Sequence, residues 1–195
     1  MNNIFVVRIR KKEKIKRKER KKDKRKKMNI LVLPTNKIIP DYIYFLDSKN
    51  NILMDGFFTK LIYTNEWFTM SGLYINLPIE MQCIDTKTYT NRGYKQTIFF
   101  SVSQHSTLLH QLDLLEQHIL SKYIPNDKTK HKSFLIMQSL KLGYFRIFKG
   151  NENSSSSSSI IKKKTGFVLK VSGIWENASE YGLSYKIMDA SSSYD

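Results

Sequence analysis

The stretch STLLHQLDLLEQHILSKYIP, residues 106–125, decides how the rest of the chain is read. Leu108, Leu112, Leu115, Ile119 and Tyr123 recur at steps of four, three, four and four, which is one continuous apolar face of an amphipathic helix. Ser106 stands where an N-cap belongs. Pro125-Asn126-Asp127 ends the segment, so the spacing predicts one helix over about residues 106–124.

Nearly everything on either side reads as strand. Ile30–Leu33 is a short apolar run closed by Pro34, and Tyr42–Leu46 is a second, followed by the turn cluster Asp47–Asn51. Residues 52–63 and 67–77 are rich in β-branched and aromatic side chains, and the Thr64-Asn65-Glu66 link predicts a hairpin. A polar loop is expected from Asp85 to Gly93. Residues 94–102 then alternate, with Tyr94, Gln96, Ile98, Phe100 and Val102 on one face and Lys95, Thr97, Phe99 and Ser101 on the other. After the helix, residues 133–149 read as one long strand whose apolar parity flips at Gly143, as at a β-bulge. Residues 167–175 and 181–188 alternate again. One helix set once into a run of strands predicts a mainly β fold, an elaborated OB-like barrel in which the helix plugs the barrel between the third and fourth strands. Residues 150–165 hold six serines and three lysines and read as a disordered low-complexity insertion, taken as the connection between the final two strands.

Charge divides the chain. Residues 1–27 hold fifteen Lys/Arg against three Asp/Glu, a net of +12 out of +16, which leaves +4 for residues 28–195. A run of this density cannot bury apolar surface, and residues 1–27 are expected to be a basic tail, coil or frayed helix. Three roles are open to it: a salt-sensitive grip on phosphates, a nuclear-import signal, or an over-extended start upstream of Met28. Residues 28–189 are expected to be a single β-rich domain, and residues 190–195 a frayed terminus. One cysteine, Cys83, permits neither an internal disulfide nor a zinc site built of cysteines, which fits an intracellular protein. No run approaches the ~18 apolar residues of a membrane helix, so no membrane partner is expected.

No catalytic constellation is legible, and the chain is expected not to be an enzyme and to need no cofactor or metal. His110 and His118 lie eight apart on the helix, about 80° apart in projection, and two histidines without a third ligand define no metal site. The candidate chemistry is aromatic and cationic side chains sharing the outer parity of strands: Tyr144, Arg146 and Phe148; Lys95 and Phe99; Phe58 and Lys60; Tyr74; and Lys170. Lys162, Lys163 and Lys164 in the insertion would overhang a binding groove. Rings interleaved with cations suit unpaired nucleic acid, whose bases stack and whose phosphates follow the positive charge. A second layer of chain packed on the sheet would bury these same faces.

The stretch FVLKVSGIWENASEYGLSYKIM, residues 167–188, resembles the closing hairpin of small OB-like single-stranded-DNA-binding proteins of DNA viruses and virus-derived mobile elements. Phe68-Thr69-Met70-Ser71-Gly72-Leu73-Tyr74 also looks like a strand of that group. The resemblance implies a non-enzymatic, replication-associated protein that coats unpaired DNA; the basic tail, for its part, is expected to allow an intracellular placement in the nucleus or at a viral replication site. The rival expectation is a structural or virion-associated protein that self-associates through its β-domain while the basic tail neutralises nucleic acid.

Overall fold

The computed structural model describes residues 5–10, 27–52, 55–90, 93–150 and 165–190. In chain order these form strands β1 (Phe5–Arg10), β2 (Lys27–Val32), β3 (Ile43–Asn50), β4 (Phe57–Thr64), β5 (Thr69–Ser71), β6 (Leu73–Thr90) and β7 (Gly93–Phe100). Helix α1 (Ser106–Lys122), β8 (His131–Ser133), helix α2 (Leu135–Leu140), β9 (Tyr144–Gly150), β10 (Thr165–Glu176) and β11 (Glu180–Asp189) follow.

Five strands close into an OB-like barrel in the order β6–β7–β9–β11–β10, because β10 pairs with β11 on one edge and with β6 on the other. All the pairings are antiparallel except β9 with β11. The inward parity of each strand supplies the core: Ile75, Leu77 and Ile79 from β6, Ile98 and Phe100 from β7, Phe145 and Ile147 from β9, Phe167, Leu169 and Val171 from β10, and Leu183 and Ile187 from β11. β4 extends the wall by pairing with the last residues of β10, and β3 and β5 add to β4.

β10 serves β6 with Thr165–Val171 and β4 with Gly173–Glu176, and the register with β11 slips between Val171 and Gly173. That bulge reverses the inside–outside parity, so Ile174 is buried in the core while Gly173 and Trp175 turn to the outer wall. Gly173 is required by close approach, since a Cβ there would lie 2.2 Å from the Thr59 carbonyl oxygen.

Several expectations are corrected. The long strand over 133–149 is replaced by β8, α2 and β9. Ile136, Met137 and Leu140 are buried at helical spacing, and the parity flip at Gly143 is a helix-to-strand junction in which Gly143 adopts φ +75° and its N–H bonds to the Leu140 carbonyl. The polar loop over 85–93 is largely strand: β6 runs to Thr90 and pairs with β7 from Met81 onward. Its threonines and Tyr89 suit a pleated ladder as well as a loop. The turn cluster Asp47–Asn51 lies mostly within β3, and the reversal falls at Asn51–Gly56, where the Asn51 N–H bonds to the Gly56 carbonyl at 2.9 Å. Phe5–Arg10, read as part of a tail, pairs with β2.

Helix α1 forms as expected, but a 3-10 turn at Ser103–His105 precedes it and makes His105, not Ser106, the boundary residue. Its fully buried side is Leu109, Leu112, Glu116, Ile119 and Leu120, with Leu108 and Leu115 packed at the margin. It lies between β7 and β9, the second and third barrel strands, rather than between the third and fourth. The serine/lysine insertion leads from β9 to β10, the third and fourth barrel strands. The final two, β10 and β11, are joined by a tight turn in which the Asn177 side-chain oxygen accepts the Ser179 and Glu180 N–H groups.

One buried carboxylate ties the two helices together, and a second fastens the helical segment to the barrel. Glu116 of α1 accepts the N–H groups of Ile136 and Met137 at 3.1 and 3.0 Å, satisfying the open N-terminus of α2. Burial pushes its carboxyl above the ordinary carboxylate value, and the two N–H bonds offset only part of that shift. Glu176, at the end of β10, accepts from Tyr123 Oη at 2.7 Å, Lys130 Nζ at 2.6 Å and Asn126 N at 3.2 Å. Burial alone would raise its carboxyl, but the Lys130, Tyr123 and Asn126 bonds outweigh that and hold it below the ordinary value.

A depressed carboxyl stabilises the fold above its unfolded pKa and loses that contribution as pH falls through the folded value. The E176Q variant leaves Lys130 buried without its counter-charge and is expected to cost about 3–5 kcal/mol at pH 7. The deficit should shrink as pH falls below the ordinary carboxylate value and on through the lower value of the folded state, where the wild-type carboxylate protonates too. Urea unfolding of both proteins at pH 7 and pH 3 reads the difference. An undiminished deficit at pH 3 would show that Glu176 acts by packing rather than charge.

Candidate nucleic-acid interface

The outward parity of β7 and β9 follows from the inward one. Gln96, Ile98 and Phe100 of β7 and Phe145 and Ile147 of β9 are buried, so their sequence neighbours face the other way. The antiparallel register then sets Lys95 opposite Phe148, Thr97 opposite Arg146 and Phe99 opposite Tyr144. The five residues that alternation assigned to the outer faces of two separate strands therefore form one cluster. The Phe99 and Tyr144 rings are 5.9 Å apart at 45°, and the Arg146 guanidinium carbon sits 5.9 Å from the Tyr144 ring centre. Lys95 and Arg146 are exposed, Phe99 and Tyr144 half-buried, and Phe148 is 56% exposed. An exposed phenylalanine beside an arginine adds nothing to the core, whereas it leaves a ring face open to stacking.

The cluster continues around the wall. The parallel pair Ile147–Ile187 places Arg146 of β9 beside Lys186 of β11, and Lys186 lies opposite Lys170 of β10. Arg146, Lys186 and Lys170 thus form a row of cations across three strands. The Lys170 ammonium also rests 5.1 Å from the centre of the Tyr74 ring.

Tyr74 is not an open platform. β2 runs over this part of the wall, and Tyr74 is buried with Ile30, Val32 and Val168 in a small second core. Leu33 seals its edge, with its N–H on the Tyr74 carbonyl and its own carbonyl accepting from Asn76. Phe58 and Lys60 lie on β4, outside the closed barrel, where Lys60 is exposed and Phe58 half-buried. Lys162, Lys163 and Lys164 lie outside the described residues. Sequence reasoning missed Lys186, which the β9–β11 pairing brings into the row, and Trp175, which lies directly opposite Phe58. The bulge after Val171 hid Trp175, because strict alternation from Phe167 sends residue 175 inward. The adjacent Ser172-Gly173 was the available signal for a bulge.

The histidines play local parts. His105 Nε2 accepts the Glu80 N–H at 3.3 Å, and His110, His118 and His131 are exposed. Among the described residues no three His, Cys, Asp or Glu side chains come together in a way that could hold a metal ion, and no helix is long and apolar enough to cross a membrane.

The fold and the face together define a class: an OB-like β-barrel that carries an aromatic and cationic cluster on its second and third strands. Comparison with known proteins finds no matching family model, no similar curated protein and no similar solved structure.

The covered and open aromatics should separate by stability. The Tyr74→Ala variant is expected to lose about 3–5 kcal/mol, as for other large buried aromatics. Phe148→Ala is expected to change stability by less than about 0.5 kcal/mol. Denaturant midpoints of the two variants check this, and a comparable loss at Phe148 would mean that its ring is structural.

Proposed function

We propose that this protein binds single-stranded nucleic acid on the outer wall of β7 and β9, without catalysing a reaction on it. One observation carries the reading: the pairs Lys95–Phe148, Thr97–Arg146 and Phe99–Tyr144 stand side by side on one face, with both cations and the Phe148 ring exposed. In OB barrels the face of the second and third strands is where oligonucleotides lie. Bases stack on Phe148 and on the Phe99–Tyr144 pair, while Lys95, Arg146 and the neighbouring Lys186 and Lys170 follow the phosphates. Such binding shows little sequence preference, since every base has a face to stack. The resemblance of residues 167–188 to viral single-stranded-DNA-binding proteins favours DNA and a role in replication. The tail then acts as an accessory grip on phosphates or as an import signal.

A second reading is favoured by the charge distribution alone. With +12 of the +16 in residues 1–27, the tail could neutralise packaged nucleic acid while the barrel serves as an assembly unit.

Fluorescence anisotropy with the full chain, a labelled oligothymidine and a matched duplex at two salt concentrations separates the two. The barrel reading expects a preference for the single strand and a loss of about tenfold or more in the Arg146→Glu, Phe148→Ala double variant. If that variant binds as the wild type does, without strand preference and with steep salt loss, the tail does the binding and the barrel reading falls.

A further inference from the structure

We propose a second stacking station for the same strand, built by Trp175 and Phe58 on the wall where β4 joins β10. It rests on the reading of the β7–β9 face as a single-strand site. Trp175 and Phe58 are directly opposed cross-strand partners, and each lies over a glycine. A Cβ on Gly182 would meet Trp175 Cζ2 at 2.9 Å and Cε2 at 3.1 Å, and a Cβ on Gly173 would meet Phe58 Cζ at 2.9 Å. The two glycines let both rings settle onto the backbone of the wall. Neither ring is in the core: both are half-buried, against almost complete burial for Ile174 and Thr59, which form the inward pair beside them.

Cations flank the station. Lys49 of β3 lies opposite Phe58, Lys60 lies opposite Gly173, and both lysines are exposed. One carboxylate, Glu180, shares the outward parity at the start of β11. β11 links the two parts of the wall: its Ser184 lies opposite Gly173 of β10, and farther along the same strand Ile187 pairs with Ile147 of β9. From β9 the wall runs through β11 and β10 to β4, three strand spacings across, and the two stations are also offset by several residues along β11. The row Arg146, Lys186 and Lys170 lies on the strands between. A strand of nucleic acid therefore stacks on Phe148 and Tyr144, lays its phosphates across the cation row, and stacks again on Trp175 and Phe58.

The chain has two tryptophans, Trp67 and Trp175, so a Trp67→Phe variant of the full chain makes Trp175 the sole indole reporter. This protein is titrated with oligothymidines of about four and about twelve nucleotides, the shorter filling one station and the longer both. Two stations predict that the longer oligomer binds at least about tenfold more tightly and quenches Trp175 fluorescence, and that Trp175→Leu removes most of that length advantage. Lys60→Glu, a change at an exposed side chain that cannot empty the core, is expected to weaken the longer oligomer several-fold. If the longer oligomer binds with Trp175 emission unchanged and Trp175→Leu keeps the length advantage, the rings over Gly173 and Gly182 serve only to cover those glycines. The second station is then overturned while the first stands. If neither oligomer binds the parent protein, both readings fall together.

Discussion

The structure depends on β10 satisfying hydrogen bonds along both edges. It pairs with β11 along one side and divides the other between β6 and β4. Unless β10 joins β6 to β11, the barrel is an open sheet with unpaired edges. A strand of uniform parity would turn Ile174 outward and Trp175 inward where β10 passes from β6 to β4. The slip between Val171 and Gly173 resets that parity, and glycine at 173 allows the Thr59 carbonyl to approach. The same irregularity turns Trp175 outward, so one local feature both closes the barrel and sets an aromatic ring on its surface.

The carboxylates of Glu116 and Glu176 are the other expensive elements. Each is almost fully buried, and each is matched to donors that would otherwise go unsatisfied. Glu116 stands in for an N-cap on a helix too short to hold itself together. Glu176 gathers the end of α1, the following loop and the end of β10 at one point, and through Tyr123 and Thr59 the chain of bonds reaches Ser48 on β3. Their carboxyl groups shift in opposite directions, because at Glu116 burial prevails over two backbone N–H groups while at Glu176 a lysine tips the balance.

Much of this was legible where local pattern and tertiary role agree. The leucines of α1 have only one reading, and the alternation in residues 94–100 assigned Lys95 and Phe99 outward and Ile98 and Phe100 inward, as observed. Tyr144, Arg146 and Phe148 were legible for the same reason once the parity after Gly143 was followed. Short segments were not. Ile136, Met137 and Leu140 occupy less than two helical turns, too few for a period of 3.6 to be told from an irregular strand. Tyr74 has the outward parity of a binding residue, but nothing local says that β2 returns to cover it; that is a long-range contact. The role of Glu116 is not local either, since its partners are backbone N–H groups twenty and twenty-one residues away.

β9 and β10 are consecutive barrel strands in the chain but not neighbours in the wall, because β11 lies between them. Whatever joins them has to cross the end of a strand, so it has a minimum length and cannot be a tight turn. Beyond that minimum the cost of length is small in general, since doubling a loop adds only about 0.6 kcal/mol in closure entropy. The six-serine run falls in this connection. Sequence can therefore be gained or lost between β9 and β10 without altering the register of the described strands, and this place follows the strand that carries Arg146 and Phe148.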